Sequence, residues 1–502
     1  MRSRAWPWPL ELLAALALGA LQTLAYVHTE AWWLQIACAG LLAWRARHAT
    51  PARAALIGAA YGSAWVAAGT WWLFISMHRY GGLPAWMAVA AVLALAAFLS
   101  LYLAAALAAF ARWRRGRPIG DALLFAAVWL LAELARGVLF TGFPWVAAGY
   151  AHVDGPLAAW APWVGVYGIG AVAAFVAALA ALQPDRSAAS WLRGAGLPLV
   201  LLAGPALVGV PEFTRPTGAL SVTLLQGNIP QDQKFESSHQ AAALEWHLAA
   251  LLAARSDLVV APETAIPFLP QQMPEGLWDG LKARFGQGET AALVGVPLGN
   301  DTDGYTNSAV GFAPGRPLYR YDKQHLVPFG EFIPRMFRWF TELMNIPLGD
   351  FNRGPLVAPS FLVKGERVAP NICYEDLFGE ELAARFREPA SAPTILANLS
   401  NIGWFGQTIA VDQHLHISRL RSLELQRPMI RATNTGATVV IDHRGKVRHW
   451  LAPHTRGVLE GQAQGREGNT PFVAWASRVG LWPLGLLALG VVLLAMRRRP
   501  AP

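Results

Sequence analysis

Three residues in the C-terminal half of this 502-residue chain carry side chains able to make and break covalent bonds: Glu263, Lys323 and Cys373. Glu263 follows the apolar run Leu258–Ala261 within Ala-Pro-Glu-Thr-Ala-Ile-Pro. Lys323 ends Tyr319-Arg320-Tyr321-Asp322-Lys323 and leads into His325-Leu326-Val327-Pro328-Phe329-Gly330-Glu331. Cys373 ends Val368-Ala369-Pro370-Asn371-Ile372 and is followed by Tyr374-Glu375-Asp376. A free thiol has a pKa of about 8.5, so a nucleophilic cysteine needs a nearby ammonium or general base to supply the thiolate. Singly, each residue also has an ordinary reading. A strand-end Glu usually caps or faces solvent, a Lys before a loop is usually solvated, and a lone Cys is usually a small inert hydrophobe.

Cysteine arithmetic favours use of Cys373. The chain has two cysteines, and Cys38 lies inside an apolar stretch far from it in character. A bridge between them would need Cα atoms within about 7 Å. A thiol that persists unpaired in an oxidising compartment suggests a nucleophile.

The elements that must position these residues are short β-rich runs alternating with amphipathic helices from about residue 217. Strands are expected at Ser221–Gln226, Asp257–Ala261, Ala292–Val296, Ser308–Phe312, Val368–Cys373, Thr394–Asn398 and Thr438–Asp442. Helices are expected near Gln240–Ala253, Leu277–Phe285, Gly379–Phe386 and Asp412–Arg427. Alternation of this kind predicts an α/β layered fold, with chemistry at strand ends. Pro211–Pro216 and Gly461–Thr470 read as linkers.

The rest of the chain has a different composition. Apolar residues make up 54% and charged residues only 15%, against about 25% charged in soluble proteins. Residues 1–211 hold six acidic side chains, whereas 212–472 have 24 Lys+Arg and 26 Asp+Glu. Most of the net charge of +9 therefore lies outside the α/β segment. Nucleic-acid binding, which needs clustered cations on the binding domain, is excluded as an expectation. Eight apolar runs approach the roughly 20 residues needed to span a bilayer: 8–26, 31–45, 54–76, 84–111, 121–139, 157–183, 195–211 and 474–496. The run Leu10–Tyr26 is read as a span rather than a signal peptide, because further apolar runs follow at once. The organisation expected is a membrane domain over 1–211, an extramembrane domain over 212–472, and a closing span with a basic tail over 473–502.

Charge placement orients the spans. With the N-terminus in the cytoplasm, fourteen arginines, from Arg2 and Arg4 to Arg497, Arg498 and Arg499, fall in cytoplasmic segments, and Arg79 alone in the short outer loops. Seven crossings then place 212–472 outside the cytoplasm. Within the fifth span, Glu133 and Arg136 either neutralise one another at i and i+3 or mark a lipid-headgroup site. His414 and His416 diverge on a helix, which argues against zinc. Arg419, Arg421, Arg427 and Arg431 read as a solvated or ion-paired face.

Taken together, the contexts of Glu263, Lys323 and Cys373 resemble the nitrilase superfamily, whose Glu–Lys–Cys triad lies on an αββα sandwich. The resemblance covers about 217–465. The membrane-bound branch of that superfamily, the apolipoprotein N-acyltransferases, is similar over nearly the whole chain. Its matching segments are Gln226–Gln231, Pro262–Pro267, Lys323–Glu331, Cys373-Tyr374-Glu375, Trp404-Phe405-Gly406 and Thr141-Gly142-Phe143-Pro144-Trp145. One departure is Ile402, where members commonly carry an acidic residue after the Asn.

The resemblance implies a nitrilase-like sandwich inserted between the helices of an eight-helix bundle in the bacterial inner membrane, with the catalytic domain periplasmic and both termini cytoplasmic. It implies Glu263 as general base, Cys373 as nucleophile and Lys323 as oxyanion stabiliser, supported by Glu331, Glu375 and Tyr374. The acyl donor would be a membrane phospholipid and the acceptor the α-amine of a diacylglyceryl-cysteine on an apolipoprotein. No cofactor or metal is needed, and a monomer is expected. Trp404, Phe405, Phe143 and Trp145 either line the acyl path or serve as core or interfacial aromatics, and Arg136 is the headgroup candidate. The rival readings are a membrane-tethered amidase or nitrilase, and a transporter with an outer domain. Almost no polar residues interrupt the first four spans, which disfavours transport.

Overall fold

The computed structural model describes residues 7–183, 187–232, 237–334, 338 and 350–497. The chain divides into two compact units at Phe74/Ile75, Gly82/Leu83, Pro211/Glu212 and Arg478/Val479. Arg2, Arg4, Arg186, Arg498 and Arg499, used above for orientation, lie outside the described residues.

The first unit is helical. Its helices include α1 (Trp8–Leu21), α2 (Trp32–Ala46), α3 (Pro51–Thr70), α4 (Ala85–Trp113), α5 (Pro118–Val138), α6 (Ala161–Ala181) and α7 (Leu197–Val208). Four stretches are long and apolar enough to cross a membrane: Trp8–Tyr26, Ala85–Trp113, Pro118–Thr141 and Pro156–Ala181. A fifth results if Pro471–Val479 and Trp482–Arg497 are taken together. Eight spans were expected, and the difference has local causes. At 1.5 Å per residue, the 15 residues of α2 extend about 22 Å, short of a roughly 30 Å hydrocarbon layer. In α3 small residues replace bulky ones to let neighbours approach. A Cβ at Gly58 would meet the Leu103 carbonyl of α4 at 2.9 Å, and one at Gly62 would meet Ser100 Cβ at 2.9 Å. The last stretch is not one helix, because Gly480 at φ 55° interrupts it.

The second unit is a sandwich of two six-stranded sheets. Its strands are β1 (Arg215–Gln226), β2 (Leu258–Ala261), β3 (Ala291–Asn300), β4 (Gly304–Phe312), β5 (Tyr319–Asp322), β6 (Phe361–Val363), β7 (Glu366–Ile372), β8 (Ile395–Ser400), β9 (Met429–Thr433), β10 (Thr438–Ile441), β11 (Val447–Leu451) and β12 (Gly457–Glu467). One sheet runs β12-β1-β2-β3-β4-β5 and the other β11-β10-β9-β8-β7-β6. In both, the central strands that precede the site pair in parallel, β1 with β2 and β2 with β3, and β7 with β8 and β8 with β9. The inner faces meet in one apolar core, with Leu224, Val260 and Leu293 from the first sheet against Val368, Ile395 and Ile430 from the second. Helices α8 (Ser237–Ala253) and α9 (Leu277–Gly286) bury Leu251, Leu281 and Phe285 on the outer face of the first sheet. Helices α10 (Gly379–Ala384) and α11 (Ala410–Leu425) accompany the second sheet, and α12 (Pro471–Val479) follows β12. This is the layered α/β arrangement expected.

One expectation is corrected here and another is narrowed. Gly461–Thr470 is not a linker: most of it belongs to β12, which pairs antiparallel with β1 from Arg215↔Glu467 to Gln226↔Gly457. Of the solvated and ion-paired readings of the arginines, the ion-paired one holds for Arg421 and Arg431, the latter 3.6 Å from Asp376, and Arg427 is buried as well, each about 1% exposed or less. Arg421 pairs with Glu424 at 2.9 Å, and Arg427 donates to the carbonyls of Pro393 and Gly468 at 2.6 Å each. Segment Ile75–Gly82, between α3 and α4, clusters with the second unit. Arg79 pairs with Asp232 at 2.9 Å, and the Tyr80 ring stands edge-on to Trp404 at 5.8 Å.

Candidate active site

Each candidate residue follows a strand at the same end of the sandwich. Glu263 lies two residues after β2, in a turn whose next residue, Thr264, has φ 50°. The turn hugs β3, where a Cβ on Gly295 would meet the Pro262 carbonyl at 2.3 Å and Glu263 Cα at 2.7 Å. Lys323 follows β5, and its amide donates to the Asn307 carbonyl of β4 at 2.8 Å. Cys373 follows β7 and sits at φ 53°, a region that L-residues avoid at a cost of order 1–3 kcal/mol. Such a strand-to-helix turn lifts a nucleophile's side chain off the sheet edge.

Hydrogen bonds join the set. Lys323 Nζ lies 2.9 Å from Glu331 Oε1 and 3.5 Å from Glu263 Oε1. Asn307 Nδ2 donates to both carboxylates at 2.7 Å. Glu263 Oε2 accepts from the Asn401 amide at 2.8 Å, and Glu331 Oε2 from the Val327 amide at 2.8 Å. Glu375 accepts from the amides of Ile372 at 2.6 Å and Gln324 at 2.7 Å, and from the Tyr321 hydroxyl at 2.8 Å. Glu331 and Glu375 are thus buried and fully used by the turns around Lys323 and Cys373. Asn307 escaped the sequence reading. Its available signal is an amide in a strand otherwise rich in β-formers, a position where Asn is depleted.

The electrostatics follow from burial. Desolvation alone would lower the Lys323 pKa, but the carboxylates of Glu331 and Glu263 outweigh it and hold the ammonium above the usual lysine range. For Cys373, desolvation and then the Glu263 charge push the thiol up to about 12, against the pull of Lys323. The half-buried thiol is therefore protonated at neutral pH, and attack requires a base to remove its proton. Burial likewise raises Glu375.

Around the site, Tyr374 is buried and packs its ring on Phe378 at 5.3 Å. Trp404 is 38% exposed, and Phe405 is half-buried beside it. The loop bearing them is tied to Gln226–Gln231 through Asn401 Nδ2, which donates to Gln231 Oε1 at 2.8 Å. Ile402 is buried against Gly436, where an added Cβ would approach Ile402 Cγ2 at 2.7 Å. In the helical unit, Arg136 pairs with Glu133 at 3.3 Å and lies 4.7 Å from the Trp65 ring centre. Glu133 also accepts from the Ala148 amide at 2.7 Å. Trp145 is buried against Trp72 at 4.7 Å, and Phe143 packs on Val66, Ala96 and Leu99. Both therefore have the surroundings of core aromatics. His414 and His416 assemble no metal site, and no metal-holding cluster of His, Cys, Asp and Glu occurs among the described residues.

Comparison with known proteins accounts for both units. Residues 18–179 match the family model of the apolipoprotein N-acyltransferase N-terminal domain, and 221–470 match that of carbon-nitrogen hydrolases. An apolipoprotein N-acyltransferase of Verminephrobacter eiseniae is 54% identical over 95% of this chain and 94% of its own length. One of Ralstonia nicotianae is 48% identical, over 97% and 93%. A solved CN-hydrolase superfamily protein from Xanthomonas campestris is 21% identical, with a TM-score of 0.37 over 49% of this chain and 91% of its own. Two family models in tandem, long apolar helices and near full-length identity of about half lead to one assignment: the chain is a membrane-embedded member of the apolipoprotein N-acyltransferase family.

Proposed function

We propose that this enzyme moves a fatty acyl chain from a membrane phospholipid to the α-amine of an S-diacylglyceryl-cysteine at a lipoprotein N-terminus, through a thioester on Cys373. The observation that carries this reading is the convergence of Glu263, Lys323 and Cys373 after strands at one end of the sandwich, with Lys323 2.9 Å from Glu331 and 3.5 Å from Glu263, in a chain whose relatives are named apolipoprotein N-acyltransferase. Glu263 takes the thiol proton as sulfur attacks the ester carbonyl. The tetrahedral intermediate collapses, the lysophospholipid oxygen leaves with the proton from Glu263, and a thioester remains. The acceptor amine then attacks the thioester, Glu263 removes its proton, and the thiol is restored as the amide forms. Lys323 donates to each oxyanion, a contribution of about 3 kcal/mol for a well-placed donor. Glu331 and Asn307 hold Lys323 and Glu263, while Glu375 holds the two turns. Trp404 and Phe405 line the acyl path, and Arg136 meets lipid headgroups from the helical unit, with Phe143 and Trp145 packing beside that region.

In this reading seven crossings precede residue 212, α2 completing its own together with the adjoining turn Thr29–Ala31, and one follows the sandwich. The sandwich is periplasmic on the bacterial inner membrane, both termini are cytoplasmic, and the enzyme works as a monomer. Two features support that orientation. Arginines crowd the loops on one side, and Arg79, the exception, lies in Ile75–Gly82, which packs within the sandwich unit through Asp232 and Trp404.

The test is intact-mass analysis of the full chain in phospholipid micelles. An acyl adduct that hydroxylamine removes, and that Cys373→Ala lacks, is expected. Hydrolysis of soluble amides with no acyl transfer would overturn the proposal in favour of a tethered hydrolase.

A further inference from the structure

Beneath the turn at Cys373 lies a buried polar chain that the reaction scheme does not use. His414 Nε2 is 3.2 Å from the Cys373 carbonyl oxygen, and Arg431 Nη2 is 2.7 Å from His414 Nδ1. Arg431 also donates to the His414 carbonyl at 3.0 Å and lies 3.6 Å from Asp376, which accepts from Ser418. All four side chains are buried. A guanidinium has donors and no acceptor, so Nδ1 facing it must present its lone pair. The single proton of a neutral imidazole is then on Nε2, aimed at the Cys373 carbonyl. Burial, followed by the neighbouring Arg431 charge, holds His414 well below the ordinary histidine pKa, consistent with a neutral ring.

The carbonyl that receives this proton belongs to a residue with an unfavourable backbone. Cys373 at φ 53° needs surroundings that fix it. Asn398 Nδ2 makes a longer approach to the same oxygen, 3.4 Å. We propose that His414, locked by Arg431 in the Nε2–H tautomer, is a positioning residue that pins the Cys373 carbonyl and so keeps the thiol raised toward Glu263. It touches no reacting atom, and the inference rests on Cys373 being the nucleophile.

The experiment compares His414→Leu, which fills the space without a donor, with His414→Gln, whose amide nitrogen can stand where Nε2 stands. Each full-length variant is mixed with micelles of phosphatidylethanolamine and phosphatidylglycerol, and acylation of Cys373 is followed by intact mass. Leu is expected to acylate about ten- to a hundred-fold more slowly, the range matching the strain of one such residue. Gln is expected to stay within about three-fold of wild type, with the half-saturating lipid concentration unchanged in both. A folded Leu variant acylating at the wild-type rate, or Gln as slow as Leu, overturns the proposal. Should Leu fail to fold, Gln against His414→Asn, too short to reach the carbonyl, decides. A fast Gln with a slow Asn supports the pin, and equal rates overturn it. Absence of any adduct in wild type would instead sink the assignment of Cys373 itself.

Discussion

Glu375 accepts a 2.6 Å hydrogen bond from the amide of Ile372, the residue immediately before the proposed nucleophile. The same carboxylate takes the Gln324 amide at 2.7 Å, immediately after Lys323. One side chain thereby ties together the two turns that carry Lys323 and Cys373, 50 residues apart in sequence. Replacing it by Ala orphans buried amides, at about 1–3 kcal/mol each. Glu375→Ala is expected to lower the melting temperature and nearly abolish acylation. Glu375→Gln, which keeps one acceptor oxygen, should recover part of both, as read by thermal unfolding and adduct formation.

Lys323 sits between two carboxylates, 2.9 Å from Glu331 and 3.5 Å from Glu263. Lys323→Met removes the proposed oxyanion donor and leaves negative charge crowded in a buried place. Acylation should fall by roughly a hundred- to a thousand-fold. The companion Asn307→Ala, which removes the amide shared by Glu263 and Glu331, should slow acylation less while changing its pH profile.

The thiol itself offers a pH test. Since Cys373 is pushed up to about 12, alkylation by iodoacetamide in a Cys38→Ala background should climb about ten-fold per pH unit from 8 to 10 without levelling. An ordinary thiol levels off just above its pKa of about 8.5. The sign for stability follows from the same shift. The folded state holds the proton more tightly than the unfolded chain, so this contribution is present below pH 9 and lost as pH rises toward 12. Cys373→Ala should lack that alkaline loss, measured by denaturation at pH 8 and 10.

Gly295 matters although it bears no functional group. A methyl there collides with the backbone of Pro262 and Glu263, so Gly295→Ala must displace the base. We expect the enzyme to remain folded, with a destabilisation of about 1–3 kcal/mol, and acylation to drop by at least ten-fold. Wild-type acylation in a folded Gly295→Ala would show that the position of Glu263 is not critical.

Arg136 separates two roles in the helical unit. Its partner Glu133 is 3% exposed, so Arg136→Leu should destabilise the protein by about 3–5 kcal/mol, the usual cost of a buried charge left unpaired. If the double variant Arg136→Leu, Glu133→Gln regains stability yet still binds phospholipid poorly, the headgroup role stands. Full recovery of lipid binding leaves only the structural role.

Much of the sandwich was legible because its central strands are continuous apolar runs that end at the chemistry. Leu258–Ala261 is the clearest case, and its burial on both faces is what makes it readable. The strands that escaped carry disguises. β9 places Arg431 in its middle, and a buried arginine is invisible to a pattern of apolar residues. β12 alternates polar and apolar residues with Gly461 and Gly465, which read as a flexible join. The glycines are there because a Cβ at Gly465 would meet Glu366 Oε2 at 2.0 Å, and one at Gly461 would meet His449 at 3.1 Å. Motif context singled out Glu263, Lys323 and Cys373, whereas it gave no hint of Asn307 or the Asn401 amide. Their partnership with Glu263 is a product of folding across 44 and 138 residues, with no local pattern to announce it.

The seam between β1 and β12 has a mechanical consequence. Both covalent exits from the sandwich leave at its Arg215–Glu467 end, where Gln426 holds the Phe213 amide and Arg427 the Gly468 carbonyl, so a pull arriving along the backbone from either flank meets those bonds before it reaches the first rung of the ladder. Because β1 and β2 run parallel, load borne there acts at the end of the sheet remote from the strand end that carries Glu263.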